Sequence, residues 1–419
     1  MESRPSLVLQ NVSLPDGRVA DITITDGTVS HAGAGMPADR VIDCSGLFVI
    51  PAATDMHVHM RGGPQSAKED WETGTRSALA GGVTLVVDQP NSIPPVTAPE
   101  TFRARVFEAK ENSLCHFAIN SGVTHDTPLP ALWSAGAMAF GEIFFAPSSY
   151  GEAVTPQELS VALDQIHSFG GLATIHAEEI IAGPDTTLET HAQVRPPGGE
   201  LRAVRAVLQA NTAECRLHFC HMSTGASVDA ARGSVEATPH HLFLSREMFG
   251  NTDAYARVNP PLRSGRERKE LLSRWKRIDV VASDHAPHTR TEKEQPFSDA
   301  PSGVPGVETM VPLLLAAVLE KSISLPEVIA KTSSNPAAIL GIPQAGFAPG
   351  CRGDFALFKK QAVRIDPDNL HSRCGWTPFE GRQGVFPSCV IMDGIVVYED
   401  GEFFPGNPAW MPGKGYFPR

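Results

Sequence analysis

Four histidines and one aspartate stand at the ends of apolar runs in this chain of 419 residues. His57 and His59 are two apart in Asp55-Met56-His57-Val58-His59. On a strand, alternate side chains share a face, so both imidazoles point one way and can hold one metal ion. A His-x-His pair taken alone is more often two satisfied or exposed histidines. Position changes that weighting, because this pair closes the first of a series of strand-like runs. His176 ends Thr-Ile-His176, His221 ends His218-Phe-Cys220-His221, and Asp284 ends Ala-Ser-Asp284. Each of these alone is equally well a buried histidine on a carbonyl, or an aspartate capping the next helix. Together they set four histidines and a carboxylate on one rim, which favours a metal site. Neutral imidazoles suit a borderline ion such as Zn2+, and such a rim suits hydrolysis with two metals. Asp284 is then the natural shuttle of a proton from water to a leaving nitrogen.

The elements that must present these residues are legible as alternating patterns. Eight apolar runs are separated by helical stretches: LFVIPAATDMHVH, GVTLVVDQ, LCHFAINSG, AMAFGEIFFA, LATIHAEE, RLHFCHMS, SVEATPHH and IDVVASDHAP. Such alternation predicts an α/β fold, and eight repeats predict a (β/α)8 TIM-like barrel whose site lies at the carboxyl ends of its strands. Residues 1–50 read instead as short strands joined by the Asp16-Gly17 and Asp26-Gly27 turns, and Asp393-Gly394 repeats the style near the other end. The two ends are expected to meet as one small β-sandwich domain. Residues 1–50 form its N-terminal part, 51–345 the metal-dependent barrel, and 346–419 its C-terminal part and a tail.

Bulk properties narrow the partners. The chain is 42% hydrophobic and 20% charged, without an apolar stretch near the roughly 20 residues that a membrane helix needs. A membrane protein is not expected. The formal net charge of −12, with no cluster of Lys and Arg, argues against nucleic acid and for a small molecule. No basic segment followed by an apolar core opens the chain, so a cytoplasmic location is expected. Seven cysteines without a CxxC pair suggest reduced thiols rather than a disulfide frame.

The segments DMHVHMRG (55–62), TRSALAGGVTLVVDQPNSIPP (75–95), HAEE (176–179), HFCHMS (218–223), VEATPHHLFLS (235–245), ARVNPPLR (256–263), ASDHAPHT (282–289), APSGVPGVETMVPLLL (300–315) and CGWTPFEG (374–381) jointly resemble the dihydroorotases. These are cyclic amidohydrolases of the amidohydrolase superfamily, and allantoinases and hydantoinases share most of the same metal set. The resemblance runs from the N-terminal strands to about residue 400 and implies a zinc enzyme that reversibly hydrolyses (S)-dihydroorotate to N-carbamoyl-L-aspartate in pyrimidine (UMP) synthesis. It implies two Zn2+ per subunit, with His57, His59 and Asp284 on one and His176 and His221 on the other. Arg61, Asn91, Asn259 and His288 would fix the substrate, with Arg61 on its carboxylate. It also implies a homodimer and association with aspartate transcarbamoylase. A guanidinium two residues beyond His59 can make a bidentate contact that separates acidic from neutral substrates. Without the neighbouring site, the same arginine would be a solvated residue beside a Gly-Gly turn.

One family feature is missing. Relatives bridge their metals with a carboxylated lysine at the end of the fourth strand, where this chain reads Ala-Phe-Gly-Glu142-Ile-Phe-Phe. The one lysine between residues 100 and 175 is Lys110, within a helical pattern. Glu142 is therefore the candidate bridge, an anionic carboxylate on a shorter arm. That arm requires the strand to lie closer to the metals or the site to hold fewer ions, and a Glu142 that only hydrogen-bonds nearby is the other reading. Allantoinase or hydantoinase activity is the alternative within the class. From another class comes a metal-free structural partner, motivated by the lost lysine and opposed by the five retained ligands. Among lesser candidates, Ser148 and Ser149 in APSSYGE (146–152) could close over the rim or sit in an inert loop. Cys220 is core or an added ligand, His240 and His241 are packing or support, and Gly303-Val-Pro-Gly306 shapes the pocket floor.

Overall fold

The computed structural model describes residues 6–144 and 153–417. Leu7–Ser13 (β1), Val19–Thr25 (β2), Thr28–Gly33 (β3) and Arg40–Asp43 (β4) form one sheet in the order β3-β2-β1-β4. Gly17 and Gly27 turn between them with φ of 85° and 80°, a conformation that glycine adopts without a steric penalty. Leu47–Pro51 (β5) leads into a second architecture. Ala53–Val58 (β6), Val83–Asp88 (β7), His116–Ile119 (β8), Phe140–Phe144 (β9), Leu172–His176 (β10), Arg216–Phe219 (β11), Ser234–Ala237 (β12) and Val280–Val281 (β13) follow in chain order. They run parallel in two arcs, β6-β7-β8 and β9 to β13. Single bridges between Ser121 and Phe140, and between Val58 and His285, join the arcs into a closed barrel.

Helices clothe the barrel for sequence reasons that Pro156–Ser168 illustrates. Thr155 and Glu158 cap its first turn reciprocally, and Leu159, Ala162, Leu163 and Ile166 are its buried residues. That i, i+3, i+4, i+7 spacing is a stripe facing the strands. Each large apolar side chain so buried contributes about 1.5–3 kcal/mol.

The carboxyl-terminal segment adds Phe355–Lys359 (β14), Val363–Arg364 (β15), Gln383–Gly384 (β16), Pro387–Met392 (β17), Ile395–Glu399 (β18) and Glu402–Phe403 (β19). β19, β18, β17, β14 and β5 make a sheet in that order, with Asp393-Gly394 turning between β17 and β18. Leu7, Leu9, Ile22 and Ile24 share a core with Val49, Phe355, Leu357 and Ile391, so the two end sheets pack as a small sandwich beside the barrel.

One reading is corrected. The run LFVIPAATDMHVH is two strands, because Leu47–Pro51 pairs antiparallel with β14 whereas Ala53–Val58 pairs parallel with β7. Pro51 has no N–H for a ladder, and the Ala52 N–H turns to the Asp354 carbonyl at 3.0 Å. The excursion between β15 and β16 reaches back over the barrel, where Cys374, Trp376 and Phe379 pack with Val258, Phe297 and Val304. All seven cysteines are free. Among the described residues no helix is long and apolar enough to cross a membrane.

Candidate metal centre

His57, the penultimate residue of β6, is buried beneath the rim. Its Nδ1 lies 3.0 Å from Glu236 Oε1, which fixes the proton there and turns Nε2 inward. Glu236, on β12, also accepts the His221 N–H at 2.9 Å and faces His218 Nε2 at 3.1 Å. His59 presents Nε2 to Asp284 Oδ1 at 3.1 Å, while its Nδ1 meets Asn91 Oδ1 at 2.6 Å. His176 ends β10 with Nδ1 3.3 Å from Glu142 Oε1 and Nε2 3.3 Å from Glu178 Oε2. His221 Nε2 is 2.7 Å from the same Glu142 oxygen. The other oxygen of Glu142 is 3.4 Å from His57 Nε2. One carboxylate therefore stands between His57 on one side and His176 and His221 on the other.

The shorter arm of a glutamate is offset by the backbone. Phe140 is opposite Ala173 and Ile143 opposite Ile175, so three steps along β9 match two along β10. Such a bulge re-aims the side chain it carries. Gly141 sits in it with φ 133°, and a Cβ there would lie 2.1 Å from the Thr174 carbonyl, so only glycine fits. The rim also holds three non-glycine residues in left-handed backbone: Arg61 (φ 50°), His221 (φ 33°) and Asp284 (φ 47°). Each costs of order 1 kcal/mol, strain that the surrounding structure holds in place and that concentrates at functional positions.

The donor set fits a metal. His57, Glu142 and His221 bring one ligand atom each within 4.8 Å of one another, as do His57, His59 and Asp284. His57 Nε2 and His221 Nδ1 are buried with no hydrogen-bond partner among the described residues. The charge balance agrees. Burial works against a charged His57, yet Glu142, Glu236 and Asp284 outweigh it and raise its pKa well above the usual histidine value. Burial likewise opposes a charged His176, but its bonds to Glu142 and Glu178 lift its pKa to about 9. Burial would raise the Asp284 carboxyl, and His57 and His59 bring it down to about 2 instead. The carboxylates demand positive charge, which protons or a cation can supply.

Above this cluster opens a cavity of about 380 Å3 lined by His59, Arg61, Asn91, Glu142, His176, His221, Asn259, Asp284 and His288. All the residues singled out as ligands or substrate contacts therefore meet at one place, with His57 just below. Arg61 is buried, with Nε 3.3 Å from the Pro287 carbonyl and its own carbonyl taken by Arg105 at 2.5 Å. It is not a solvated surface residue. Lys110 lies over the Trp410 ring at 5.2 Å, in the helix Pro99–Asn112. Cys220 is buried, and its sulfur lies with His57 and Glu236 in a third possible ligand group; burial, then Glu236, pushes its pKa up to about 12. His241 Nε2 faces the Pro260 carbonyl at 2.9 Å, a packing role, while His240 Nε2 is buried without a partner among the described residues. Gly303 lines the cavity. Ser148 and Ser149 lie outside the described residues.

Other residues at the site were not singled out from sequence: Glu178, Glu236, Lys68, Gln65 and Ser302. Glu236 carries a signal, a charge inside an otherwise apolar strand. Glu178 stands two positions beyond His176, on the same face by alternation. Lys68 follows the Gly62-Gly63 turn in a polar loop with no periodicity to mark it.

Comparison with known proteins identifies the family. Residues 48–396 match the amidohydrolase family. A dihydroorotase of Methanosarcina acetivorans is 38% identical, covering 95% of this chain and 93% of its own length. That of Methanosarcina mazei is also 38% identical, covering 94% of each. Among solved structures, the L-hydantoinase (dihydropyrimidinase) of Arthrobacter aurescens superposes with a TM-score of 0.88 over 99% of both chains at 24% identity, a likeness of fold.

Proposed function

We propose that this chain, which belongs to the amidohydrolase family and within it to the dihydroorotases, catalyses the reversible hydrolysis of (S)-dihydroorotate to N-carbamoyl-L-aspartate. It is a metal-dependent hydrolase of the carbon–nitrogen bond in cyclic amides, and its substrate is a small molecule bearing a carboxylate. The observation that carries this reading is the two-sided cavity, with the His–carboxylate cluster on one wall and Arg61 and His288 on another.

On this reading the centre would hold two zinc ions per subunit. His57, His59 and Asp284 would hold one and His176 and His221 the other, and Glu142 would serve as the bridging carboxylate in place of a carboxylated lysine. Its position between the two histidine groups supports that role. Bound zinc supplies Lewis acidity, polarising the ring carbonyl and lowering the pKa of water. The protein's own groups do the rest. Arg61, Asn91, Asn259 and His288 seat the carboxylate and ring, so that the scissile amide faces Asp284. Asp284, ionised by its histidine neighbours, accepts the proton of the attacking water. It then returns that proton to the ring nitrogen as the carbon–nitrogen bond breaks, leaving a ureido NH2 and a new carboxyl group that releases the second proton of the water to solvent and stays ionised. Ring closure follows the same steps backwards.

A substrate panel tests the assignment: dihydroorotate and carbamoyl aspartate should interconvert, and turnover of allantoin or hydantoin without dihydroorotate would overturn it. A metal-loaded crystal structure should place a Glu142 oxygen about 2.0–2.2 Å from zinc, and Glu142 turned away would remove the bridge. The same reading places the enzyme in the cytoplasm as a homodimer that associates with aspartate transcarbamoylase, which light scattering of the two proteins mixed would check.

A further inference from the structure

We propose that Lys68 is a positioning residue that holds the His288 imidazole in the tautomer protonated at Nε2, making that ring a hydrogen-bond donor to the substrate carboxylate. The proposal rests on the dihydroorotase reading for its substrate, but the tautomer stands on geometry alone. Lys68 Nζ lies 3.3 Å from His288 Nδ1. An ammonium group has donors only, so Nδ1 must present its lone pair. On the other side of the ring Nε2 lies 3.1 Å from the Ser302 carbonyl oxygen, which can only accept. At each nitrogen the nearer neighbour selects this tautomer: Lys68 is closer to Nδ1 than Glu292 Oε2 at 3.6 Å, and the Ser302 carbonyl is closer to Nε2 than Arg61 Nη2 at 3.3 Å.

The charges around the ring keep it neutral. His288 is buried, with Arg61 Nη2 3.3 Å from Nε2, Lys68 at Nδ1, and Lys293 beyond. The carboxylate facing it is Glu292, whose Oε2 is 3.6 Å from Nδ1. Burial lowers its pKa, Glu292 opposes, and Arg61, Lys68 and Lys293 bring it down to about 3. A neutral imidazole donates from one nitrogen only, so which nitrogen is decisive. With the proton on Nε2, the ring and the Arg61 guanidinium are two adjacent donors on the cavity wall, and one carboxylate can span them by taking the Nε2–H over from the Ser302 carbonyl.

Glu292 makes Lys68 necessary. Its Oε1 is 2.7 Å from Lys68 Nζ, so the lysine occupies the carboxylate that would otherwise accept from an Nδ1–H. Remove the ammonium, and Glu292 favours the opposite tautomer, whose Nε2 lone pair accepts from Arg61 and leaves the ring no donor for the incoming carboxylate. Lys68 is part of the cavity lining, with its side chain 19% exposed, so its replacement does not open a core.

The test is Lys68→Met beside Lys68→Arg in the zinc-loaded enzyme, with melting temperatures to confirm folding. Loss of one charge-assisted hydrogen bond corresponds to a rise of about tenfold in KM for dihydroorotate at pH 8, with kcat within about twofold. Lys68→Arg should recover most of it. The defect should shrink as pH falls toward 6, because His288 beside an unpaired Glu292 then gains a proton and regains its Nε2–H. Imidazole 15N shifts, assigned with His288→Gln and read without substrate, should show Nε2 protonated in the parent protein and Nδ1 protonated in Lys68→Met. An unchanged KM, a KM defect independent of pH, or Nδ1 protonated in the parent would each overturn the proposal. A parent with Nε2–H but no turnover of dihydroorotate would overturn the functional reading and uphold the tautomer.

Discussion

At the foot of the barrel His116, Asp354 and Asp393 converge as closely as the ligand groups of the rim do, yet the two clusters balance their charge differently. The foot brings its own cation: Arg352 Nη2 is 2.8 Å from Asp354, which also accepts from the Thr84 hydroxyl at 3.1 Å and the Asp393 N–H at 2.7 Å. His116 Nδ1 accepts the Ala409 N–H at 3.1 Å, so its proton sits on Nε2, the nitrogen facing the aspartates, and no lone pair is offered. Among the described residues the rim has no such cation beside Asp284, and its carboxylates instead draw charge onto His57 and His176. Nearness of ligand types does not separate a metal centre from a structural ion network. Whether the protein has already supplied the counter-charge does.

The sharpest way to break that contrast is a conservative change at each end. Glu142→Gln should lower turnover by about 1000-fold or more, since several kcal/mol of charge stabilisation depend on the filled site, and should lower zinc content by metal analysis. Asp393→Asn should leave both within about twofold, and a zinc loss there as large as at the rim would erase the distinction. Next in size, Arg352→Met leaves Asp354 buried without its cation, so denaturant unfolding should show a loss of about 3 kcal/mol with zinc stoichiometry unchanged. The rim should also respond to pH. His176, with its pKa raised to about 9, and His57, with its own raised well above the usual histidine value, hold protons in the metal-free protein, and each proton must leave before its nitrogen can ligate. Zinc affinity by titration should therefore strengthen from pH 6 to 9 by about tenfold per unit for each displaced proton; a flat profile would remove the electrostatic half of the contrast. Smallest of all, Lys110→Met, remote from the site, should leave zinc content and turnover within error.

Much of the rim was legible because strand alternation is a local rule. His57 and His59 share a face by spacing alone, and His176, His221 and Asp284 each close an apolar run. The Asp-Gly turns marked the end sheets for the same local reason. What stayed hidden depends on contacts between distant segments. The bulge that carries Glu142 inward is a mismatch between β9 and β10, which neither strand shows by itself. The wall behind His288 is completed by Trp376, whose indole N–H donates to the His288 carbonyl at 2.7 Å from 88 residues further along the chain. Lys68 gains meaning only when His288 and Glu292 arrive beside it. The split at Pro51 was missed because both halves of the run are apolar, and pattern cannot say which sheet receives each.

The barrel closes by two thin seams, and the site straddles one of them. His57 and His59 belong to the three-stranded arc, whereas Glu142, His176, His221 and Asp284 belong to the five-stranded one. Between them the His59 N–H reaches the His285 carbonyl at 2.8 Å beside the Val58–His285 bridge. An ion held as proposed would grip both arcs and act as a clasp across that seam, adding its binding free energy to the work of parting them. Amide hydrogen exchange at His59 would then gauge occupancy, slow while the clasp holds and quickening when chelation lets the arcs breathe.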